Sequence, residues 1–600
     1  MKILGINAFG QNPSAALVID GELTGFSHEE RFNRLKNSHN LFPSYTITWL
    51  LNSNNLLLED VDYIAFNWDC TKYPWKRAKQ LLSTKINLSG TKNNYGKSDN
   101  SSNVYSALEY LLNYTPGNVI NKIKRELRRS GHKGKIPKIE FVDHHLSHAF
   151  QAYYHSPFSD CLVLVADGHG EENCVSGYFV EDGSFKKITN YKVPYSLGWF
   201  YGGMSAYLGF YPDRDEGKLM GLAAYGKKRA AENPYLEVID EMIKISDKEF
   251  ELNPFFFKIG AKDYNYSYTN SLVKFLTAID PELQPISVNE KVIKDGNVIN
   301  KYLQEKYIDL AFAVQSKLEG ALNAVISQMV DSAPFRNLAY AGGVAMNCKA
   351  NRVIADHPGI DRLFVHPASS DDGSAIGAAF YIAKHFDSLR HVPLTHTQYG
   401  AGFNNDEIQK ILDNCGVNYQ KTNYISTDAA KLLTEGKIIG WFQGNAEMGA
   451  RALGGRSILA NPFESEIKNK INSNVKYREI WRPYCPSILK GNSKRYLNDS
   501  EDARFMIVAD EATKEFADTA PAVVHVDNTV RPQLVDKEVL PEYGNLIEDF
   551  GHLTGHPVVL NTSFNVRGEP ITNNPYDAIR TFYSTGLDAL AIGDFIVKKR

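Results

Sequence analysis

A three-strand pattern occurs twice in this chain, and such a repeat restricts the fold more than any other sequence feature. The first copy runs through KILGIN, AALVID and LTGFSHE between residues 2 and 29, with FGQNPS as its first turn. The second copy runs through CLVLVAD, CVSGYFV and SFKKITNYK between residues 161 and 192, with GHGEEN as its first turn. Apolar runs bounded by glycine, asparagine and proline are typical of strands and turns. The sequence therefore predicts a duplicated sheet.

The duplicated unit resembles the actin/hexokinase-type fold, in which two halves face each other and their first turns point into the cleft between them. Strand–turn–strand plans are common, so the repeat alone leaves other α/β folds open. A helical pattern covers 303–333, and a polar, proline-bearing stretch at 391–406 follows it. We expect an actin-like N-terminal domain at 1–395 and a second α/β domain at 400–600, with KIIGWF, VVHV, VVLNTSF and ALAIGDF as strands.

Composition and charge argue against several classes of protein. The net charge is −3, with 22% charged and 43% apolar residues, so we expect neither a nucleic-acid nor a membrane partner. The basic run at 121–135 is interpreted as a solvated helix face, and 85–103 is predicted to be a surface insertion. The first residues do not resemble a signal peptide. Six scattered cysteines indicate a reduced, cytoplasmic protein.

Three histidines lie within VDHHLSHAF, residues 142–150. His144 and His148 are four residues apart, so on a helix both rings lie on one face and can share an ion. This is the spacing of HExxH metalloproteases, but His145 replaces their glutamate, which disfavours that class. The spacing alone leaves a metal site and an ordinary helix open. His145 is predicted to lie in the core or behind the ligands.

Two histidines alone hold a metal poorly, so at least one carboxylate should join them. Asp167 is a candidate because it ends the run CLVLVAD and opens the following turn. A second candidate lies in HPASSDDGSAIGAA, where Asp371 and Asp372 open a predicted helix. Either residue could instead be a helix N-cap, and at this point both interpretations stay open.

Glycine turns and basic residues indicate anion binding. Gly342 and Gly343 follow the predicted strand NLAYA, where backbone N–H groups can approach a phosphate, and Gly168 opens a similar turn. Lys218 lies among glycines and could neutralise a phosphate, although an exposed loop lysine is the plainer interpretation. The last third holds six basic residues in three short motifs: Arg451, Arg456, Lys476, Arg478, Arg482 and Arg567. Scattered surface arginines are one alternative, but the clustering favours an anion pocket.

An ordered series of motifs extends over nearly the whole chain: EERFNRLK, DHHLSHA, ADGHGE, DEGKLMGLAAYG, AGGVAMN, SSDDGSAIGAA, GARALGGRSILA, KYREIWRPYCPS and LNTSFNVRGEPI. With these motifs the chain resembles the O-carbamoyltransferase family, which includes nodulation-factor, cephalosporin and tobramycin carbamoyltransferases. The resemblance implies an actin-like N-terminal domain related to tRNA threonylcarbamoyltransferases and a C-terminal domain of the YrdC type.

The resemblance also implies a reaction in two stages. The C-terminal domain converts carbamoyl phosphate and ATP into carbamoyladenylate, and the N-terminal domain transfers the carbamoyl group to an acceptor hydroxyl beside a metal. Iron(II) is the metal in characterised relatives, another divalent ion is the alternative, and magnesium is a further candidate cofactor. We expect a small hydroxylated secondary metabolite as the acceptor, with a saxitoxin-type guanidinium alkaloid as one candidate in toxin biosynthesis.

The site residues follow from the same resemblance, motif by motif. The implied metal ligands are His144, His148, Asp167 and Asp371, of which the first three are the predicted catalytic residues. The implied adenylate contacts are Gly168, Lys218, Gly342, Gly343 and Asn347. The implied activation site holds Arg451, Lys476, Arg482 and Asn561.

One departure from the family pattern concerns the first turn, where many relatives carry a His-Asp pair. Here Gln11 and Asn12 occupy the turn, and neither side chain takes a proton near neutral pH. His28 and His39 are nearby in sequence but cannot be placed in the cleft. A threonylcarbamoyl-type tRNA-modifying transferase is the alternative function, disfavoured by the slight net acidity. The oligomeric state is open, with a homodimer as one expectation.

Overall fold

The computed structural model describes residues 1–76, 78–79, 111–258, 267–286, 304–479, 481–498 and 503–599. The predicted insertion at 85–103 lies outside these ranges. In the first two thirds the strands are β1 Lys2–Asn7, β2 Ser14–Ile19, β3 Glu22–His28, β4 Tyr63–Phe66, β5 Lys138–Phe141, β6 Cys161–Ala166, β7 Asn173–Glu181, β8 Ser184–Lys192, β9 Ile243–Ile245, β10 Phe250–Leu252, β11 Asn337–Ala341 and β12 Arg362–Val365.

Helices cover these strands: α1 Glu29–Asn33, α2 Ser44–Ser53, α3 Pro116–Arg129, α4 His144–His155, α5 Leu197–Tyr207, α6 Glu216–Ala223, α7 Asn270–Ile279, α8 Glu305–Ser332, α9 Cys348–Ala355 and α10 Asp371–His385. The predicted long helix is α8. Within the described part of the chain, no helix combines the length and apolar character needed to cross a bilayer.

The two halves contain sheets of the same topology. One sheet has the order β3-β2-β1-β4-β5 and the other has the order β8-β7-β6-β11-β12. In both, the three consecutive strands pair antiparallel and the two added strands pair parallel. The first turns of both copies, at Gln11 and Gly168, line one cavity. The predicted duplicated α/β architecture is confirmed, and it agrees with the actin/hexokinase-type plan.

Close contact between α4 and α10 joins the two halves behind this cavity. Gly377 on α10 permits it, because a Cβ atom there would lie 1.6 Å from the Ser147 carbonyl oxygen on α4. Both helices are almost entirely buried. The two helices therefore begin close to each other, with His144 at the start of α4 and Asp371 at the start of α10.

The last third forms an eight-stranded mixed sheet in the order β13-β22-β21-β14-β15-β20-β16-β19. Its strands are β13 Tyr419–Lys421, β14 Ile439–Phe442, β15 Arg456–Ala460, β16 Cys485–Leu489, β19 Gln533–Val535, β20 Val558–Ser563, β21 Ala589–Ile592 and β22 Phe595–Lys598, and a separate pair is β17 Asp510–Glu511 and β18 Thr529–Val530. Its helices are α11 Asn405–Asn414, α12 Ile425–Thr434, α13 Ile467–Ile471, α14 Ser493–Tyr496, α15 Lys514–Thr519, α16 Pro541–Thr554 and α17 Pro575–Tyr583.

Apolar side chains cover both faces of this sheet. On β14, Trp441 belongs to one buried cluster and Phe442 to another on the opposite face. Three of the four predicted strands are confirmed, but VVHV is wrong, because these residues form turns around His525. The domain limits at 395 and 400 and the YrdC likeness stay predictions.

The motif EERFNR, residues 29–34, connects the N-terminal part to the C-terminal part through hydrogen bonds of its arginines. The Arg31 guanidinium donates to the Gly449 carbonyl at 2.9 Å. Arg34 donates to the carbonyls of Ile571 at 2.7 Å and Pro570 at 2.9 Å. Hydrogen bonds from charged donors to buried acceptors are among the more stabilising ones. This motif therefore has an architectural role.

Replacing Arg34 with alanine is expected to destabilise this junction by about 2 kcal/mol or more, since two charge-assisted hydrogen bonds are lost and two acceptors are left unpaired. Thermal unfolding should show a lower transition temperature than the wild type. Arg129→Ala, which removes an exposed arginine from α3, is the control. Equal transitions for the two variants would contradict the assigned role.

Candidate active site

The paired histidines lie in the first turns of α4 and are fully buried behind the cavity wall that Asp167 and Asp371 line. Asp143 caps the helix by accepting from Leu146 N at 2.9 Å. The Glu171 carboxylate accepts from His144 N at 3.1 Å and from Asp69 N at 2.7 Å. The helix start is therefore anchored from two loops. The Nε2 atoms of His144 and His148 face each other at 3.2 Å.

Asp167 is the third member of this cluster. Its Oδ1 accepts from Gly168 N at 2.8 Å and Gly343 N at 3.0 Å. Its Oδ2 lies 3.1 Å from His144 Nε2 and 3.5 Å from His148 Nε2. One oxygen is therefore held by backbone donors, and the other faces the imidazoles.

Asp371 supplies the fourth donor. Its Oδ1 lies 3.6 Å from His144 Nε2 and 3.9 Å from His148 Nε2. Asp372 faces away, with Oδ2 3.5 Å from His28 Nε2. Of the two adjacent carboxylates, Asp371 is therefore the one that faces the histidines, and its role as a metal ligand stays a prediction. One ligand atom from each of His144, His148, Asp167 and Asp371 lies within 4.8 Å of the others.

The four donors fit a divalent metal ion. His144 Nδ1 lies 3.3 Å from the Asn67 carbonyl oxygen, an arrangement that keeps the proton on Nδ1 and leaves Nε2 free to bind. Burial opposes charge on the His144 ring, but hydrogen bonds to Asp167 and Asp371 outweigh burial and raise the pKa well above its usual value. The two carboxylates thus favour positive charge between the His144 ring and themselves, as they would for a bound cation. Two imidazoles and two carboxylates suit iron, manganese or zinc alike.

The residues around the cluster were partly foreseen. His145 lies beside it but pairs through Nδ1 with Ser176 Oγ at 2.9 Å, as expected of a residue behind the ligands. Trp68 stacks on His144, with ring centroids 4.3 Å apart. The sequence analysis assigned no role to Trp68, which lies outside the motifs, or to Glu171, which lies in the motif ADGHGE.

The glycine turn after β11 has a structural role in this site. Gly342 has φ 102°, and a Cβ atom there would lie 2.2 Å from the Ala166 carbonyl oxygen. A Cβ atom at Gly343 would lie 2.8 Å from Asp167 Oδ1. Glycine is required for the backbone to reach Asp167. Gly343 also lines the cavity, so the predicted adenylate contact stays a prediction.

Asn347 and Lys218 both line the cavity, but protein groups already engage them. Asn347 Oδ1 accepts from Ala350 N at 3.1 Å, which caps α9, and its Nδ2 donates to Gln315 at 2.9 Å. Lys218 pairs with Asp215 at 2.9 Å and with Glu479 at 3.2 Å. Adenylate would have to compete with these partners.

One continuous cavity of about 680 Å³ extends from the histidine cluster into the C-terminal part. Its C-terminal wall carries six basic residues: Arg451, Lys476, Arg478, Arg482, Arg531 and Arg567. Burial and Arg531 lower the pKa of Arg451 to about 9, and burial and Arg478 lower that of Arg482 to about 10. Packed like charges of this kind favour an incoming anion. Arg531 was missed because no motif contains it.

Lys476 and Asn561 both donate hydrogen bonds to other groups of the protein. Lys476 Nζ donates to the Ser563 carbonyl at 2.7 Å and to Asn565 Oδ1 at 2.6 Å. Burial and the neighbouring arginines hold its pKa well below the usual range. Asn561 Nδ2 donates to the Ala452 carbonyl at 3.1 Å and to Ser487 Oγ at 3.0 Å. Both residues shape the wall at the end of β20.

Arg456 does not belong to the anion pocket, contrary to the prediction. It is fully buried, and its guanidinium donates to the carbonyls of Gln443 at 2.8 Å and Ala401 at 2.9 Å. It also stacks on Phe442 at 3.6 Å. These contacts use its donors within the protein, so its role is structural.

Glu479 is a buried carboxylate among the cavity's cations. It lies 3.2 Å from Lys218, 3.3 Å from Arg567 and 3.9 Å from Arg482. Burial alone would raise its pKa, but Lys218 and Arg482 lower it to about 2. The carboxylate therefore occupies a place where a phosphate could bind, and it links the two parts of the chain.

Replacing Glu479 with glutamine is expected to lower the Kd of the pocket for inorganic pyrophosphate several-fold, because a competing negative charge is removed. The transition temperature should also fall, because the neighbouring cations lose a partner. Isothermal titration calorimetry and thermal unfolding check both effects. Glu466→Gln, at an exposed position, is the control. An unchanged Kd would show that Glu479 does not compete with an anion.

The fold and cavity define a class of two-part α/β protein in which a candidate metal cluster shares one cavity with an anion pocket. The chain belongs to the carbamoyltransferase family. Residues 2–380 match the family profile "Carbamoyltransferase N-terminus" and residues 430–599 match "Carbamoyltransferase C-terminus". The protein is therefore a transferase enzyme of this family, as the motifs predicted.

Similar curated proteins span most of the chain. An uncharacterised protein of Synechocystis sp. is 31% identical over 100% of this chain and 96% of its own length. Nodulation protein NolNO of Sinorhizobium fredii is 31% identical over 99% of this chain and 80% of its own length. Nodulation protein NolO of Bradyrhizobium diazoefficiens is 32% identical over 76% of this chain and 79% of its own length.

Similar solved structures are more distant. Component A of the (R)-2-hydroxyglutaryl-CoA dehydratase of Acidaminococcus fermentans is 13% identical, with a TM-score of 0.31 over 64% of this chain and 97% of that one. HypF of T. kodakarensis is 13% identical, with a TM-score of 0.30 over 65% of this chain and 48% of that one. The strand order of the two matching sheets carries the fold assignment here.

Proposed function

We propose that this enzyme makes carbamoyladenylate in its C-terminal part and transfers the carbamoyl group to an acceptor hydroxyl at the histidine cluster. The observation that carries the proposal is one continuous cavity, which is lined at one end by Asp167 and Asp371 of the histidine cluster and at the other by six basic side chains. A reactive acyl adenylate could pass between the two ends without entering bulk water.

In the first step, carbamoyl phosphate, ATP and water give carbamoyladenylate, phosphate and pyrophosphate. The arginines would hold phosphate groups that repel one another, since guanidinium forks bind such oxygens in bidentate fashion. Lys476 and Asn561 would shape the cavity wall beside these phosphate groups. Adenylation gives the carbamoyl carbon a good leaving group.

In the second step, His144, His148, Asp167 and Asp371 would hold a divalent ion. The bound ion would supply positive charge for oxygens that gain negative charge during transfer. Glu171 holds the His144 backbone N–H, Trp68 stacks on the His144 ring, and the N–H groups of Gly168 and Gly343 keep Asp167 turned toward it. Fe(II) is our preferred ion.

The acceptor is proposed to be a small, positively charged hydroxylated metabolite. Near the cluster the cavity is lined by the aromatic residues Trp68, Tyr73, Tyr114 and Trp199, together with the carboxylates of Asp213 and Glu216. Aromatic faces and carboxylates both favour a cation. A guanidinium alkaloid of the saxitoxin type has this chemistry and is one candidate, made in the cytoplasm.

Incubating the enzyme with ATP and carbamoyl phosphate tests the proposal. Pyrophosphate should be released only when both are present, and an ATP analogue with a methylene bridge between the α and β phosphates should give none. A screen of hydroxylated metabolites, read by a mass gain of one carbamoyl group, would then identify the acceptor. No carbamoyl-phosphate-dependent pyrophosphate would overturn the proposed function.

A further inference from the structure

The loop between β14 and β15 carries Arg451 into the cavity wall, and its second half is held by one buried carboxylate. Glu447 Oε1 accepts from the backbone N–H groups of Leu453 at 2.9 Å, Gly455 at 2.7 Å and Arg456 at 2.9 Å. Three hydrogen bonds to one charged oxygen are a strong restraint on a loop. The backbone that follows Arg451 is therefore fixed.

The N-terminal part of the chain holds the first half of the same loop. Gly449 N donates to His28 Nε2 at 3.0 Å, and the Gly449 carbonyl accepts from Arg31 at 2.9 Å. Gly449 has φ 84°, a conformation that glycine adopts without strain. Further along, the Ala452 carbonyl accepts from Asn561 Nδ2 at 3.1 Å. Both ends of the short stretch between these bonds are therefore in place without a ligand.

The backbone N–H groups of this loop fall into two sets. An acceptor in the protein is present for those of Met448, Gly449, Leu453, Gly454, Gly455 and Arg456. Within the described part of the chain, no group accepts from the N–H groups of Ala450, Arg451 or Ala452, and these three residues line the cavity. Backbone donors in an ordered loop are usually paired. Consecutive free donors on a concave wall are an arrangement that binds anions.

The Arg451 side chain adds positive charge to the same stretch. Its Nε atom is buried and has no hydrogen-bond partner among the described residues. A second guanidinium lies close by, because Cys485 pairs with Asn561 in the sheet and Arg531 donates to Cys485 Sγ at 3.0 Å. An unpaired buried donor is costly unless a ligand satisfies it. The side chain and the backbone of this stretch thus call for the same kind of ligand.

We propose that the N–H groups of Ala450, Arg451 and Ala452, together with the Arg451 guanidinium, form a binding site for one phosphoryl group of a substrate. The inference rests on the proposed function, in which carbamoyl phosphate and ATP both carry such groups. A phosphoryl group presents several acceptor oxygens to several donors at once. Because hydrogen bonds from both parts of the chain hold the loop, these donors are in place before the substrate binds.

Inorganic phosphate is the probe that tests the site in the wild-type enzyme. In deuterated protein labelled with ¹⁵N-alanine, the amide signals of Ala450 and Ala452 can be assigned through Ala450→Ser and Ala452→Ser. Both signals should shift saturably in TROSY spectra as phosphate is added, because both N–H groups gain a charged acceptor. If neither signal moved, the proposal would be overturned.

A proline at position 450 removes one of the proposed donors. Ala450 is exposed and does not have a left-handed conformation, so proline can replace it. Ala450→Pro should raise the Kd for phosphate about 10-fold or more above that of Ala450→Ser, which has the N–H group, since a hydrogen bond to a charged ligand is lost. Alanine signals outside the loop should coincide in the two spectra and show that the fold is retained. Equal Kd values would contradict the proposed site.

Steady-state kinetics distinguish the two sources of the phosphoryl group. A KM that rises in Ala450→Pro for carbamoyl phosphate alone assigns the site to that substrate, and a rise for ATP alone assigns it to the triphosphate. An unchanged KM for both substrates would overturn the proposal. A wild type whose alanine signals shift with phosphate but which releases no carbamoyl-phosphate-dependent pyrophosphate would refute the proposed function and leave the phosphate site standing.

Discussion

Replacing His144 with alanine is expected to abolish carbamoyl transfer while pyrophosphate release continues. The substitution removes one of four donors that lie within 4.8 Å of one another, and losing one ligand of four weakens the binding of a divalent ion. Loss of the positive charge that stabilises the transition state should slow transfer by at least about 100-fold. The anion pocket at the other end of the cavity keeps all its side chains, so adenylation should proceed.

Three measurements together check this expectation: metal content by mass spectrometry, pyrophosphate release and carbamoylated product. His145→Gln is the matched control, because His145 is adjacent, equally buried and bonded to Ser176. The control should retain metal. If His144→Ala retained metal and transfer, the cluster would not be the metal site. If it damaged both steps alike, the division of the cavity into two sites would be wrong.

Replacing Arg482 with alanine should have the opposite effect and suppress pyrophosphate release about 100- to 1,000-fold, the usual loss for a missing charge-stabilising donor. Arg482 belongs to the group of like charges that lines the cavity, and partial burial together with Arg478 lowers its pKa to about 10. Such a group gains most from an anion that neutralises it. The histidine cluster is untouched, so metal content should not change.

Arg482→Lys sharpens this experiment, because lysine keeps the charge but loses the bidentate fork. We expect it to recover part of the activity. Arg495→Ala, which removes a surface arginine paired with Glu515, serves as the control. Synthetic carbamoyladenylate should restore transfer in Arg482→Ala. Failure of that rescue, with metal still bound, would mean that Arg482 serves the transfer step as well.

Local rules explain why the histidine cluster could be predicted from the sequence. A four-residue spacing places His144 and His148 on one helix face, and a strand end places Asp167 at the edge of a sheet. The same rules could not separate Asp371 from Asp372, because neighbouring residues at a helix start point in different directions. The packing of α10 against α4 decides that Asp371 faces the histidines.

The arginine-rich motifs show the limit of the same reasoning. Arg451, Lys476, Arg482 and Arg567 line the cavity, but Arg456 turns inward to backbone carbonyls. Composition cannot tell these cases apart, since both surround an arginine with glycines and small polar residues. Arg531 and Glu479 reach the pocket only through the tertiary fold.

The sequence by itself determined the duplicated sheet, the family, the shared helix face of His144 and His148 and the basic character of the last third, because each depends on periodicity or on motifs within short segments. The tertiary structure alone decided that both ends share one cavity and that Glu479 pairs with Lys218 and Arg567. Those pairs are distant in sequence, and only long-range packing of the two halves and the C-terminal sheet brings them within bonding distance.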